Sequence, residues 1–248
     1  MNRTNLIEHI KKYAITKDYV YAMWLEGADG LNKVDEYSDL DIWFDVEDTK
    51  RNEFIKELKK ELSKLSEIDT QVDIIKEDIY QSNIHLKNTS EYLTIDLCAQ
   101  NDSRSRAFTC YMEGSIAEYP KVIFDKKNII TYKQKEEIDD NLIRKLYEQQ
   151  KNRILQYSRI TKYIKRKNYL ECYMEYEKQI LKPIVIIMRL KYTPEIYDYD
   201  LCHISRHLPK KTIKQIEKLY KVETFNQIKK NIKYALSILN EYEKERNN

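Results

Sequence analysis

Asp39 and Asp41 stand one residue apart in 27-GADGLNKVDEYSDLDIW-43, at the head of an apolar run and just after a loop containing two glycines. In an extended strand, residues i and i+2 point to the same face with Cα atoms roughly 6–7 Å apart, so these carboxylates can converge on one metal ion or bridge a pair. Two Mg²⁺ ions about 3.5–4 Å apart suit in-line displacement at phosphorus, one activating the attacking oxygen and the other stabilising the leaving one. Mg²⁺ takes carboxylates together with the substrate's own phosphates. A pair of ions calls for a third carboxylate from a neighbouring strand, because Asp45 lies too far along its own. Asp96, set between Ile95 and Leu97 in 92-YLTIDLCAQ-100, is the first candidate: a carboxylate inside an apolar strand is costly unless paired or metal-bound. Asp73, in 71-QVDII-75, is the competitor.

A lone D-x-D is more often a turn aspartate followed by a solvent-facing strand residue. The preceding loop separates this case from that one. Gly27 ends an apolar strand and Gly30 follows three residues later, where backbone can approach a phosphate closely and loop amides can cradle it. Ser38 adds a hydroxyl donor and Lys33 a positive charge.

A strand, a G-A-x-G loop, a spacer ending Tyr-Ser, then D-x-D and a second strand resembles the nucleotidyltransferase superfamily with a polymerase-β-like palm. Within it, the plan is similar to the bacterial kanamycin- and lincosamide-type antibiotic nucleotidyltransferases and to related uncharacterised bacterial proteins with a W-L-E-G…D-E-Y-S-D-L-D texture. The specific match covers about residues 19–46, with a looser one through residue 100; beyond residue 131 it is architectural. The resemblance implies Asp39, Asp41 and Asp96 as metal-binding and catalytic carboxylates, with Asp96 also able to serve as general base. It implies Gly27, Ala28, Gly30, Lys33 and Ser38 around an NTP, ATP favoured, with two Mg²⁺ ions. The implied reaction moves a nucleoside monophosphate to a hydroxyl of a small-molecule acceptor, an antibiotic among the candidates. The alternatives are adenylylation of a protein or RNA, and a nucleotide-binding module weakened in catalysis. The last is motivated by one departure: the family usually has Ser where this chain has Ala28, which keeps the amide but loses the hydroxyl. A lost phosphate hydrogen bond costs about 1–3 kcal/mol if its partner is left unpaired. A homodimer is expected by analogy with the family only.

Elements must hold these groups in place. Leu6, Ile7, Ile10 and Ala14 have helical spacing; 19-YVYAMWLEG-27 and 40-LDIWFDV-46 read as strands, the second placing Leu40, Ile42, Phe44 and Val46 on one side and Asp39, Asp41, Trp43 and Asp45 on the other. An amphipathic helix follows over 48–65, with Asp48 or Thr49 as its cap. Strands are expected at 71–75, 83–88 and 91–100, the last two joined as a hairpin through 88-NTS-90, and at 121–125. From about residue 134 the periodicity is helical, over 134–167, 169–191, 210–220 and 223–246. The expected fold is α+β: a mixed-sheet palm domain over 1–130, then an all-α helical bundle over 131–248.

Bulk properties narrow the rest. Residues 1–130 hold 18 Lys/Arg against 25 Asp/Glu, net −7, and residues 131–248 hold 26 against 16, net +10. That asymmetry fits metal-binding carboxylates in one half and an anion-facing surface in the other. No nucleic-acid-binding motif accompanies it, so a nucleic-acid partner is not expected. Cys98, Cys110, Cys172 and Cys202 form no C-x-x-C pair and read as reduced thiols. His203 and His207 have i, i+4 spacing, but without H-E-x-x-H or a third ligand. The resemblance implies that the helical half covers the nucleotide cleft, which makes Lys178, Lys182, Arg189, Lys191, His203, Arg206 and His207 candidates to face it, with none singled out. No apolar run has signal-peptide character or membrane-spanning length, and a cytoplasmic location without a membrane partner is expected.

Overall fold

The computed structural model describes residues 2–247 and is α+β, with a mixed sheet and many helices. The chain divides into two compact units between Glu136 and Glu137. The first contains α1 (Arg3–Ile15), β1 (Val20–Leu25), α2 (Gly27–Gly30), β2 (Leu40–Val46), α3 (Arg51–Ser63), β3 (Ile68–Ile75), β4 (Ile79–Leu86), β5 (Thr94–Asn101), β6 (Cys110–Met112), β7 (Lys121–Asp125) and β8 (Thr131–Lys133). The main sheet has strand order β3-β4-β5-β2-β1-β7, antiparallel throughout except for the central parallel pair β2/β5; β6 and β8 form a separate parallel pair.

Strict alternation in β2 and β5 sorts their side chains between two faces. Leu40, Ile42, Phe44 and Val46 lie beside Ile95, Leu97 and Ala99, and this face is covered by Leu6, Ile10 and Ala14 of α1 and Phe54, Ile55, Leu58 and Leu62 of α3. All are fully buried; at about 1.5–3 kcal/mol for each large aliphatic or aromatic side chain, this layer anchors the sheet. The opposite face carries Asp41, Trp43 and Asp45, paired in register with Asp96, Cys98 and Gln100. Part of it is closed by a smaller cluster of Ala22, Trp24, Tyr111 and Ile129.

The second unit contains α4 (Asp140–Leu155), α5 (Ser158–Arg166), α6 (Tyr169–Tyr176), a π-helical turn (Glu177–Leu181), α7 (Lys182–Tyr192), α8 (Ile204–His207), α9 (Lys210–Tyr220) and α10 (Phe225–Asn247). Its core is built from Ile180, Leu181, Ile184, Val185, Ile187 and Leu190 with the apolar faces of α4, α5, α9 and α10. The π turn ends two residues before Pro183, whose missing N–H and bulky ring disfavour a regular α ladder over the preceding turn.

Several local expectations change. The helix expected over 48–65 starts at Arg51, with Lys50 rather than Asp48 or Thr49 at its N-cap. Parallel pairing brings the end of β5 beside the end of β2, and the Asp48 carboxylate instead accepts from the Ser103 amide (3.1 Å) and hydroxyl. The stretch 134–167 is two helices: Asp139 caps α4 by accepting from the Asn141 amide, and the chain turns at Gln156–Tyr157 before α5. β4 begins at Ile79, and β6 and β8, at three residues each, are too short to show a period. Arg189 is fully buried and donates to the carbonyls of Asp200 and Cys202 (2.6 Å each), so it pins the 193–203 segment rather than facing an open surface. His203 is not part of α8 but precedes it in a left-handed conformation (φ +51°), and its ring still meets that of His207 edge to face at 6.3 Å. Among the described residues, no helix is long and apolar enough to cross a membrane.

Candidate active site

The parallel register of β2 and β5 sets Asp41 directly opposite Asp96. Asp39 immediately precedes β2 and is exposed. Burial pushes the Asp41 carboxyl up to about 7, and the negative charges of Asp39, Asp96 and Glu26 push the same way, while the Arg3 guanidinium opposes them. Asp96 is also raised, first by burial and further by Asp39; hydrogen bonds from Gln81 Nε2 (2.7 Å) and Cys98 Sγ (3.7 Å) pull it down.

Carboxylates that burial, and to a lesser degree neighbouring negative charge, makes reluctant to ionise form a hard-oxygen donor set that a divalent cation would relieve. The residues therefore fit Mg²⁺ by charge and donor type. Among the described residues, no group of three or more His, Cys, Asp or Glu side chains is arranged to hold a metal ion.

The glycine loop lies against this face. Gly27 has φ +53°, and a Cβ there would sit 2.0 Å from Asp41 Oδ2. The loop is therefore a helical turn, α2, whose first residue touches the Asp41 carboxylate, while the Glu26 amide donates to the Asp41 carbonyl (3.1 Å). Amides in the first turn of a helix have no intrahelical partner and point outward, which suits them to an anion. Gly30 answers a different need: its Cβ would fall 1.7 Å from the Tyr119 carbonyl oxygen. Ala28 is half-buried; Lys33 is exposed, and its amide closes the turn onto the Ala28 carbonyl (2.8 Å).

Ser38 differs from expectation. Its hydroxyl donates to Asp35 Oδ1 (2.8 Å) and accepts from the Asp35 amide (2.9 Å), so it closes a local turn instead of presenting a free donor. Asp73, the competing third carboxylate, pairs with Ser82, whose β5 partner is Leu97, and so belongs to the helix-covered face. There it takes an ion pair from Lys59 of α3 (2.9 Å) and a hydrogen bond from Ser82, and it is not brought to Asp41.

Sequence reasoning missed three neighbours. Glu26 adds a fourth acid beside Asp41. Burial raises its carboxyl, while hydrogen bonds from Tyr111 Oη and Trp24 Nε1 (2.9 Å), both to Oε1, pull it down. Its position two residues after Trp24, at the end of a buried strand, was the available signal. Arg3 forms an ion pair with buried Asp29 and donates to the Ser38 carbonyl (2.9 Å), tying α1 to both ends of the loop; nothing local announced it. Gln81 reaches Asp96 from β4, a contact that depends on sheet order. Tyr37 and Tyr92, 61% and 47% exposed, meet edge to face at 5.1 Å in the loops that lead into β2 and β5.

No family model matches the chain, and no curated protein matches it. Among solved structures, it aligns with a crystal structure of spectinomycin adenyltransferase AAD(9) from Enterococcus faecialis with ATP and spectinomycin. The alignment covers 96% of this chain and 100% of that one, at 12% identity and a TM-score of 0.34. At that TM-score the likeness carries no argument about this chain, and the ATP and spectinomycin are that protein's.

Proposed function

We propose that the chain is a nucleotidyltransferase: its first unit is a palm domain, the second a helical bundle, and the reaction moves a nucleoside monophosphate from an NTP to a hydroxyl. The observation that carries this reading is the β2/β5 register, which faces Asp41 with Asp96 beneath the Gly27 turn. The acceptor oxygen bonds to the α-phosphorus, the bond from that phosphorus to the bridging oxygen breaks, and pyrophosphate leaves. Asp39, Asp41 and Asp96 would hold Mg²⁺, which when bound neutralises the phosphates and acidifies the attacking hydroxyl. Asp96 takes the hydroxyl proton, Gln81 orienting its carboxylate. Amides of α2 bind phosphate oxygens. ATP as donor and a small-molecule acceptor of antibiotic type follow from the sequence resemblance.

The assay is pyrophosphate release from each of the four NTPs with Mg²⁺ and a pooled panel of hydroxyl-bearing acceptors. Acceptor-dependent release that is absent in the double variant D39N/D41N is expected; equal release from that variant overturns the mechanism. A second reading, an NTP-binding module without turnover, is favoured by the loop's side chains: Ala28 has no hydroxyl and that of Ser38 is engaged by Asp35. NTP binding without release, and a large rate gain in Ala28→Ser, would support it.

A further inference from the structure

The helical unit carries an open surface cavity of about 520 Å³ whose lining draws on α9 and α10, with its lysines and Gln227 exposed to solvent. Its lining is rich in donors. Lys214, Lys218, Lys221 and Lys230 contribute four positive charges against one carboxylate, Glu217, and that carboxylate is ion-paired with Lys221 at 3.1 Å. The Lys218 ammonium lies 3.9 Å over the Tyr234 ring, a contact that orients the charge without neutralising it. Gln227 adds a donor of fixed sense. Its Oε1 accepts from the amides of Glu223 and Thr224 (2.8 and 2.9 Å) and from the Thr224 hydroxyl (3.0 Å), which identifies that atom as the oxygen and leaves the NH₂ as its remaining polar group. These bonds also place Gln227 in the first turn of the 23-residue α10, where the helix end is positive.

A surface lysine face is ordinarily solvated and mixed with acids. Here the one acid is already engaged, and none of Lys214, Lys218 and Lys230 has an acidic partner among the described residues. We infer that this α9/α10 cavity is an anion site for a small ligand bearing two or more phosphate groups, held by Lys214, Lys218, Lys230 and the Gln227 amide. All of its lining residues belong to the second unit.

The test is calorimetric titration of the full chain with inorganic tripolyphosphate, without Mg²⁺, at low and moderate salt. Wild type and D39N/D41N should bind one equivalent alike, because the carboxylates take no part. Lys214→Gln/Lys230→Gln should bind at least about tenfold more weakly, because it loses two charge-assisted hydrogen-bond donors, with its thermal melt in tripolyphosphate-free buffer unchanged. No saturable binding, or equal binding by the lysine variant, overturns the assignment. Displacement of tripolyphosphate by a single-stranded RNA oligonucleotide at much lower concentration overturns the small-ligand class in favour of a nucleic-acid surface.

Discussion

A methyl group at Gly27 would have to share space with an Asp41 carboxylate oxygen 2.0 Å away, on a backbone already at φ +53°. Both the clash and the left-handed conformation disfavour any L side chain. Gly27→Ala should therefore lower thermal stability and remove nucleotide binding together, read by melting temperature and by NTP titration; retained binding would mean the loop does not serve the phosphates. Asp96 and Asp73 are separated by the same residue-level reasoning. Asp96→Asn should reduce pyrophosphate release by orders of magnitude, whereas Asp73→Asn should leave release intact and cost roughly 1 kcal/mol or less, because it loses a partly exposed ion pair. The reverse pattern would move the third carboxylate to β3.

Asp45 gives a pH test away from the candidate metal ligands. It is fully buried, with Gln100 Nε2 (2.8 Å) and Arg106 Nη1 (3.0 Å) on Oδ2 and no partner on Oδ1. Burial pushes its carboxyl up to about 6, against the pull of Gln100 and Arg106, with Asp102 the further acid acting on it. A raised folded-state pKa means the folded protein binds the proton more tightly than the unfolded chain does. The stabilising contribution is thus complete below the ordinary value of about 4 and is lost as pH rises through 6. Asp45→Asn removes the titration, so the melting-temperature difference between variant and wild type should move in the variant's favour from pH 4 to pH 7. A difference independent of pH would show that Asp45 stays ionised throughout.

At the scale of elements, the site depends on one parallel pairing within an otherwise antiparallel sheet. Parallel neighbours need a long crossover, and the segment from α3 through β4 supplies it between β2 and β5. Within that crossover, α3 is tied to β3 by Lys59 and Asp73 and covers the apolar face. Gly30 ties α2 to residue 119, since its Cβ would overlap the Tyr119 carbonyl oxygen. Gly30→Ala should therefore displace this turn and weaken NTP binding with smaller effect on the helix-covered core, a split visible by comparing binding with far-ultraviolet circular dichroism.

At the scale of the whole molecule, each unit has its own core. One joins α1 and α3 to the sheet, and the other lies entirely within residues 137–248. A fragment of residues 137–248 should accordingly be helical and melt cooperatively; a non-cooperative melt would mean that its core is incomplete without the first unit.

The amino-acid sequence alone determined what local periodicity and residue type can encode. β2, written as alternating Leu40, Ile42, Phe44 and Val46 against Asp41, Trp43 and Asp45, was legible to the residue because alternation has a period of two and one face had to be buried. The candidate carboxylates and glycines were legible because their types are costly where they stand. Tertiary structure decided which carboxylates meet. Asp73 and Asp96 both sit in apolar strands, and only sheet order and register send one to Lys59 and set the other opposite Asp41. It also decided that Asp48 bonds Ser103 rather than capping α3, and that Arg3 reaches Ser38 across 35 positions of sequence. The reason is the same in each case: a hydrogen-bonding side chain takes the partner that packing delivers, and packing joins residues whose separation along the chain leaves no local trace.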